Sequence, residues 1–137
     1  MDYIFYKEPT QDDTEELRAK LQEYNRQFFE IENEPRYLIE AKDKGKMIGG
    51  IVFTVCGQWL EVDFLWVNER QRGKDIGTRL LLEAEAKGKE KGCRRSYLTT
   101  FNFQARPFYE KHGYKVVYVQ RNYPLTNERY HMEKSLE

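Results

Sequence analysis

Three segments carry residue types and spacings that could do chemistry. The first is Arg70-Gln71-Arg72-Gly73-Lys74-Asp75-Ile76-Gly77-Thr78-Arg79, between a strand-like run and a helix-like run. A helix start leaves unpaired backbone N–H groups and a partial positive charge. Gly73 and Gly77 let a ligand approach the backbone closely, and Arg72, Lys74 and Arg79 add positive charge. Together they make an anion site suited to a diphosphate, or else a plain basic turn into a helix. Neither GxxxxGK[ST] nor GxGxxG is present. The second segment runs from Asn102 to Tyr114. Asn102 can cap the helix that follows, and Tyr109, seven residues on, returns to the same helical face. A phenol there can protonate a leaving group; alternatively Phe108 and Tyr109 are core aromatics and His112-Gly113 is a helix end. The third segment is Trp59–Val67. Strict alternation puts Leu60, Val62, Phe64 and Trp66 on one face and Glu61, Asp63, Leu65 and Val67 on the other. Two carboxylates on a mostly apolar strand are costly unless they meet water, a partner or a substrate.

The elements that must position these residues are read from periodicity and turn residues. Ile4-Phe5-Tyr6 reads as a short strand. Pro9-Thr10 opens a helix to about Phe29, with Leu17, Leu21, Tyr24 and Phe28 on one stripe. A strand over Arg36–Lys42, a turn at Asp43–Lys46 and a strand over Met47–Cys56 follow, with Gly49-Gly50 as a bulge. Trp59–Val67 leads through the basic turn into a helix over Ile76–Lys91, ended by Gly92. Then come a strand at Tyr97–Phe101, a helix at Gln104–His112, a strand at Tyr114–Gln120, a loop at Asn122–Glu128 and a strand at Tyr130–Met132. The strand–helix–strand unit after Trp59 is a parallel crossover, and the hairpins before it are antiparallel. The expected fold class is therefore α/β, with a mixed, largely antiparallel sheet and helices on its faces.

The 137 residues suit one domain, expected to span residues 1–137. With 39% hydrophobic, 34% charged and 15% aromatic residues, disorder and membrane spans are both excluded. The N-terminus lacks the pattern of a secretory leader, so the expected location is the cytoplasm. Cys56 and Cys93 lie far apart and form no ligand cluster with His112 and His131; they read as reduced core thiols, and no metal is expected. Net charge is zero, which argues against nucleic acid. The distribution is uneven: residues 1–66 carry 14 acids and 8 bases, residues 67–137 carry 9 acids and 15 bases. That asymmetry suits a polyanion near the second half and a cationic partner near the first. Tyr118, Tyr123 and Tyr130 are candidates for a homodimer surface or for core.

Two motifs in this order resemble the GNAT superfamily of N-acetyltransferases, from Ile4 to Met132. The pattern [RQ]-x-x-G-x-[GA] aligns with Arg72, Gly73, Lys74, Asp75, Ile76 and Gly77, departing at Asp75, where the family usually has Gly. The pattern N-x-x-A-x-x-x-Y-x-[KR]-x-G-[FY] is met by Asn102, Ala105, Tyr109, Lys111, Gly113 and Tyr114. The resemblance implies transfer of acetyl from acetyl-CoA to an amine by direct attack in a ternary complex. It implies that Arg72–Thr78 hold the pyrophosphate, that a backbone N–H of Trp66 or Val67 polarises the thioester, and that Asn102 and Lys111 contact the cofactor. An alkyl ammonium, of pKa about 10.4, must lose a proton before it attacks, which Glu61 or Asp63 can accept; Tyr109 can protonate the thiolate. Each carboxylate reads equally as a charge that attracts a cation. Glu30, Glu32, Glu34, Glu61 and Asp63, with Phe28, Phe29 and Tyr37, are candidates for the mouth of a cationic acceptor. The expected acceptor is a small-molecule amine; alternatives are a protein lysine or N-terminus, or a non-catalytic CoA-binding module. Asp75 is expected to cap the next helix with its side chain.

Overall fold

The computed structural model describes residues 1–137, which form two compact units, residues 1–32 and 33–137. In the first unit, helix α1 (Gln11–Arg26) starts at a capping box. Thr10 Oγ1 accepts from Asp13 N–H at 3.2 Å, and Asp13 Oδ2 accepts from Thr10 N–H at 2.9 Å. The helix stops short of the expected Phe29. Phe28 and Phe29 N–H groups both donate to Asn25 C=O, which folds the chain into a turn. Ile4-Phe5-Tyr6 is not a strand; those side chains are exposed and no ladder bonds the segment. The stripe of Leu17, Leu21, Tyr24 and Phe28 keeps the expected helical spacing but is 58–72% exposed.

The second unit is built on a six-stranded sheet in the order β1-β2-β3-β4-β6-β5. The strands are β1 (Arg36–Asp43), β2 (Lys46–Cys56), β3 (Trp59–Val67), β4 (Arg95–Phe101), β5 (Lys115–Gln120) and β6 (Arg129–Ser135). All neighbours are antiparallel except β3 and β4, as the crossover through α2 (Ile76–Glu90) requires. A short helix, α3 (Arg106–Lys111), joins β4 to β5. Leu80, Leu81 and Ala84 of α2 belong to one core with Ile51, Phe53, Val55, Leu60, Val62, Leu98 and Met132. Cys93 is buried in it and Cys56 is half-buried, both as free thiols. Tyr130 is core, whereas Tyr118 is exposed. No helix is long and apolar enough to cross a membrane.

Of the three register shifts in the sheet, two set the faces of β2 and β3, and the third lies in β5 between Val116 and Tyr118. One extra residue, Ile48, enters β2 between the pairs Ala41–Gly49 and Lys42–Met47, one place before the expected Gly49-Gly50 bulge. The second was not legible as a bulge. Val52 pairs with Phe64 but Phe53 pairs with Val62, so Asp63 has no partner on β2. The bulge reverses the parity of β3. Leu60 and Val62 point into the core, and after Asp63 so do Leu65 and Val67; Glu61, Phe64 and Trp66 lie on the other face. Strict alternation therefore misplaced Phe64, Trp66, Leu65 and Val67.

The start of α2 also differs from expectation. Asp75 occupies the N-cap position but its side chain makes no capping hydrogen bond. Its backbone is left-handed (φ 60°, ψ 20°), a region that suits Gly and, among other residues, Asp and Asn. A cap needs extended backbone, so the conformation that the turn demands rules the cap out.

Two stability outcomes follow. Asp75→Gly trades relief of left-handed strain, about 1 kcal/mol, against a similar loss of unfolded-state restriction, so the urea midpoint should barely move. Asp75→Ala keeps the strain without a polar side chain to ease it and should lose about 1 kcal/mol. At Gly88, a Cβ would collide with the Leu60 side chain, which is fully buried. Gly88→Ala gains about 1 kcal/mol of helix propensity but overpacks at a cost of about 1–3 kcal/mol. A lower midpoint is expected; a higher one would mean that α2 can lift off the sheet.

Candidate active site

The parallel ladder between β3 and β4 covers only Trp59–Glu61 against Arg95–Tyr97. Beyond it β3 pairs with β2 and β4 with β6, which leaves a wedge between the two strands. At the open end lies a cavity of about 570 Å³. Its walls are Leu65, Trp66 and Val67 from β3, Gln71–Gly73 and Asp75–Thr78 from the turn and α2, and residues around α3. Phe103, Ala105, Phe108, Tyr109 and Lys111 supply the last wall.

The backbone of β3 faces this wedge with free donors. Asn68 N–H donates to Ile48 C=O on the β2 side at 2.7 Å. Alternation then turns the N–H groups of Leu65 and Val67 toward the wedge, and that of Trp66 toward β2. Of the two expected oxyanion donors, Val67 is the one so oriented.

The turn below is suited to an anion. Asn68 Oδ1 caps the short 3-10 helix Glu69–Gln71 through Arg70 N–H at 2.9 Å. Gly73 has φ 84°, which only glycine adopts without strain. No side chain caps α2 and no acid lies in its first turn, so its leading N–H groups and positive end point at the cavity unopposed. Arg72, Lys74 and Lys111 form no ion pair. Lys74 donates to Gln71 Oε1 at 3.0 Å and lines a neighbouring cavity with Arg79 and His112 rather than the first. Thr78 Oγ1, at the helix start, is 3.0 Å from His112 Nε2, a contact not expected from sequence.

Asn102 is elsewhere. Its Oδ1 accepts from Glu128 N–H and its own N–H donates to Glu128 C=O, both at 3.0 Å. Helix α3 begins only at Arg106, so Asn102 is too far upstream to cap it; it clamps the end of β4 to the loop before β6.

Tyr109 is 7% exposed, packed against Phe108 and Tyr114, and lines the cavity. Its hydroxyl makes no hydrogen bond within the protein and is not sealed from solvent. Burial pushes its pKa up to about 12, so it holds its proton at neutral pH. Beneath it, the buried Tyr114 hydroxyl lies 2.8 Å from Glu85 Oε2 and 2.7 Å from Ser96 Oγ, and Lys134 Nζ lies 2.7 Å from Glu85 Oε1. This network was not legible in the sequence.

Glu61 and Asp63 do not line the cavity. Glu61 is on the opposite face at the apex of the wedge, and Asp63 is the bulge residue beside it. Their surroundings differ. Asp63 Oδ2 accepts from Thr54 Oγ1 at 2.7 Å and lies 3.5 Å from Arg36 Nε. Glu61 has neither partner. Burial, then the charges of Asp63 and Glu34, push its pKa up. Glu34, and then burial, also push the Cys56 thiol up. The acids that gather here are thus Glu34, Glu61 and Asp63.

The same chain resembles known proteins. The acetyltransferase (GNAT) family model matches residues 3–114. Blasticidin-S acetyltransferase of Streptomyces morookaense is 42% identical over 83 residues, 60% of this chain and 61% of that protein, so the match spans less than two thirds of that relative. A crystal structure of an acetyltransferase from Bacillus cereus ATCC 14579 superposes with a TM-score of 0.87 at 33% identity, over 96% of this chain and 97% of that one. Aminoglycoside 6'-N-acetyltransferase complexed with coenzyme A has a TM-score of 0.70 at 20% identity, over 96% of this chain and 95% of that one. A splayed parallel strand pair, a glycine-bearing turn into an uncapped helix and a family match over most of the length agree: this chain belongs to the GNAT family of acetyltransferases.

Proposed function

We propose that this protein transfers the acetyl group of acetyl-CoA to a primary amine of a small cationic molecule. The observation that carries the reading is the wedge. An electropositive cavity opens at one side of it, and Glu34, Glu61 and Asp63 stand on the other face of the sheet. A polyanionic donor and a cationic acceptor would meet where the ladder is missing.

In this reading Arg72, Gly73 and the N–H groups of Gly77 and Thr78 hold the pyrophosphate, with Lys111 nearby, and the Leu65 and Val67 N–H groups bind the pantetheine and thioester oxygen. Glu61, free of a cationic partner, accepts a proton from the ammonium. The amine nitrogen attacks the carbonyl carbon, the nitrogen gives up its second proton to a further acceptor, the C–S bond breaks, and Tyr109 gives its proton to sulfur. Asp63, held by Thr54 and Arg36, attracts the cation and shapes the bulge. Supply of acetyl-CoA fits a cytoplasmic protein. The name of the blasticidin-S relative favours an antibiotic-like amine within the small-molecule class.

The reading is tested with acetyl-CoA and a panel of polyamines, amino sugars, cationic antibiotics and lysine peptides, following thiol release and product mass. Acetylation of small amines is expected. Tight CoA binding with no transfer to any member would leave a binding module instead.

Tyr109→Phe should lower kcat by about 10²-fold at nearly unchanged acetyl-CoA affinity, since the ring keeps its packing. Wild-type turnover would remove the phenol from the reaction.

Glu61→Gln should flatten the rising limb of the pH–rate profile, which lies above the usual carboxylate range because the Glu61 pKa is raised. The same variant reports on stability. Folding disfavours the charged form, so that penalty is absent below the unfolded pKa and grows as pH rises through the folded one. Glu61→Gln should raise Tm at about pH 7 and leave it unchanged at about pH 3. An unchanged profile with only a raised KM for the amine would make Glu61 a binding charge.

A further inference from the structure

On the acid-bearing face, a second constellation adjoins Glu61. Tyr97 is its register partner on β4, in the last pair before the strands part. Tyr97 OH lies 2.7 Å from His131 Nδ1 on β6. The tautomer of His131 follows from its other side. Arg129 Nε donates to Gln120 Oε1 at 2.9 Å, which fixes that oxygen as the atom presented there. His131 Nε2 lies 3.4 Å from the same oxygen, so Nε2 carries the hydrogen. Nδ1 is then a bare lone pair, and the Tyr97 phenol must be the donor to it.

We propose that Tyr97 and His131 act as a proton-accepting pair on the acceptor side of the wedge, Tyr97 taking a proton from the reacting nitrogen as it passes its own to His131 Nδ1. This rests on the acetyl-transfer reading. The reaction needs such a group. An ammonium loses two protons on becoming an amide. Glu61 takes the first, before attack. The second leaves the tetrahedral intermediate, where nitrogen carries positive charge, and goes to the Tyr97 oxygen as the phenol proton moves to His131. Tyr109 meanwhile protonates the departing sulfur. Solvent then returns a proton to Tyr109 and removes those on His131 and Glu61, so one proton is released per acetyl transferred.

The surroundings suit the task. The groups that share this face are Glu61 on β3, Arg95 on β4, Lys115 and Tyr118 on β5, and Arg129 and Glu133 on β6. Arg95 is engaged with Glu133 at 3.8 Å. Burial and Arg129 hold the His131 pKa below the usual imidazole value, so the ring is neutral and ready to accept at neutral pH. Burial and Glu61 push the Tyr97 phenol up, so it keeps its proton until one replaces it. Tyr97 would touch the substrate; His131 acts through it.

The test compares wild type, Tyr97→Phe, His131→Gln and the double variant, across pH 5–9 with an amine that the wild type acetylates. Gln at position 131 can accept the Tyr97 hydrogen bond but cannot take up a proton, so it separates bracing from relay. Each single variant should lose about 10²-fold in kcat with acetyl-CoA KM within about twofold. The double variant should be no worse than either single, because the pair works as a unit. The imidazole limb of the pH profile should vanish while the Glu61 limb persists. Wild-type kcat in His131→Gln, or losses that multiply in the double variant with an unchanged profile, would overturn the pair. Nitrogen-15 NMR of His131 in the resting protein supplies a readout independent of turnover: Nε2–H is expected, and Nδ1–H overturns the pair even in an active enzyme. A wild type that acetylates no amine overturns the acetyl-transfer reading and the pair with it. An active wild type with the wrong tautomer or indifferent variants overturns the pair alone.

Discussion

Between β3 and β4 the hydrogen-bonded register runs from Trp59 against Arg95 to Glu61 against Tyr97 and then ends. A buried strand cannot leave its polar groups unmatched without cost. Past Glu61 the wedge-facing N–H groups of β3 must bond water or a ligand. The missing ladder is thus both a hole through the sheet and a row of donors along its edge. The Asp63 bulge completes the arrangement. By reversing parity it keeps Leu65 and Val67 over the core while Glu61 stays on the far face. Without that extra residue, either the end of β3 would lose its packing or Glu61 would turn into the core.

Electrostatics divide the two sides of this opening. On one side, α2 starts without a capping side chain, and Arg72, Lys74 and Lys111 nearby form no ion pair. Most helices satisfy their first N–H groups with Ser, Thr, Asp or Asn. Here the residue in that position is an Asp whose left-handed backbone takes its carboxylate out of reach. The helix end is thereby left for a ligand. On the other side, Glu61 is neither paired nor hydrogen-bonded, and its charge is opposed by burial and by two neighbouring acids. That is an unfavourable place for a carboxylate in the resting protein and a favourable one for a base, since whatever raises its pKa raises its appetite for a proton.

Much of this was legible in residue order. The run from Ile76 to Lys91 announced α2, and Gly73 through Thr78 announced the turn and the helix start. Tyr109 and Lys111 both line the cavity. What escaped has identifiable physical causes. Nothing at Asp63 marks a bulge, because a bulge is a mismatch between two strands and only one of them holds the extra residue. Asp75 looked like a cap because Asp is a common cap; the φ that forbids it is set by the turn, not by the side chain. Asn102 looked like a cap because the helix start was placed too early by two residues. The exposed stripe of α1 follows helical periodicity faithfully, but periodicity states only which residues share a face. The pairs Tyr97–His131 and Thr78–His112 join residues 34 apart in the chain, a separation at which local patterns carry no information.

Helix α2 links these pieces, since each half of it serves a different part of the site. Its first turn presents N–H groups to the cavity, and Thr78 there meets His112 at the end of α3. Two turns on, Glu85 is buried beneath Tyr114, just past the same end of α3. An isolated buried carboxylate would be costly, but this one receives the Tyr114 hydroxyl and the Lys134 ammonium, and Ser96 completes the phenol's bonds. Tyr114 N–H donates to Tyr109 C=O at 3.0 Å, so the network ties the backbone of Tyr109 itself to α2. Two contacts two turns apart on α2 hold α3 more firmly in orientation than either could alone. The consequence is geometric: the helix end that receives the anion and the phenol that faces the same cavity are fixed to one rigid rod, so their separation does not depend on the loops between them. Gly88 extends the same logic, because a side chain there would push α2 from Leu60 and carry both ends of the site with it.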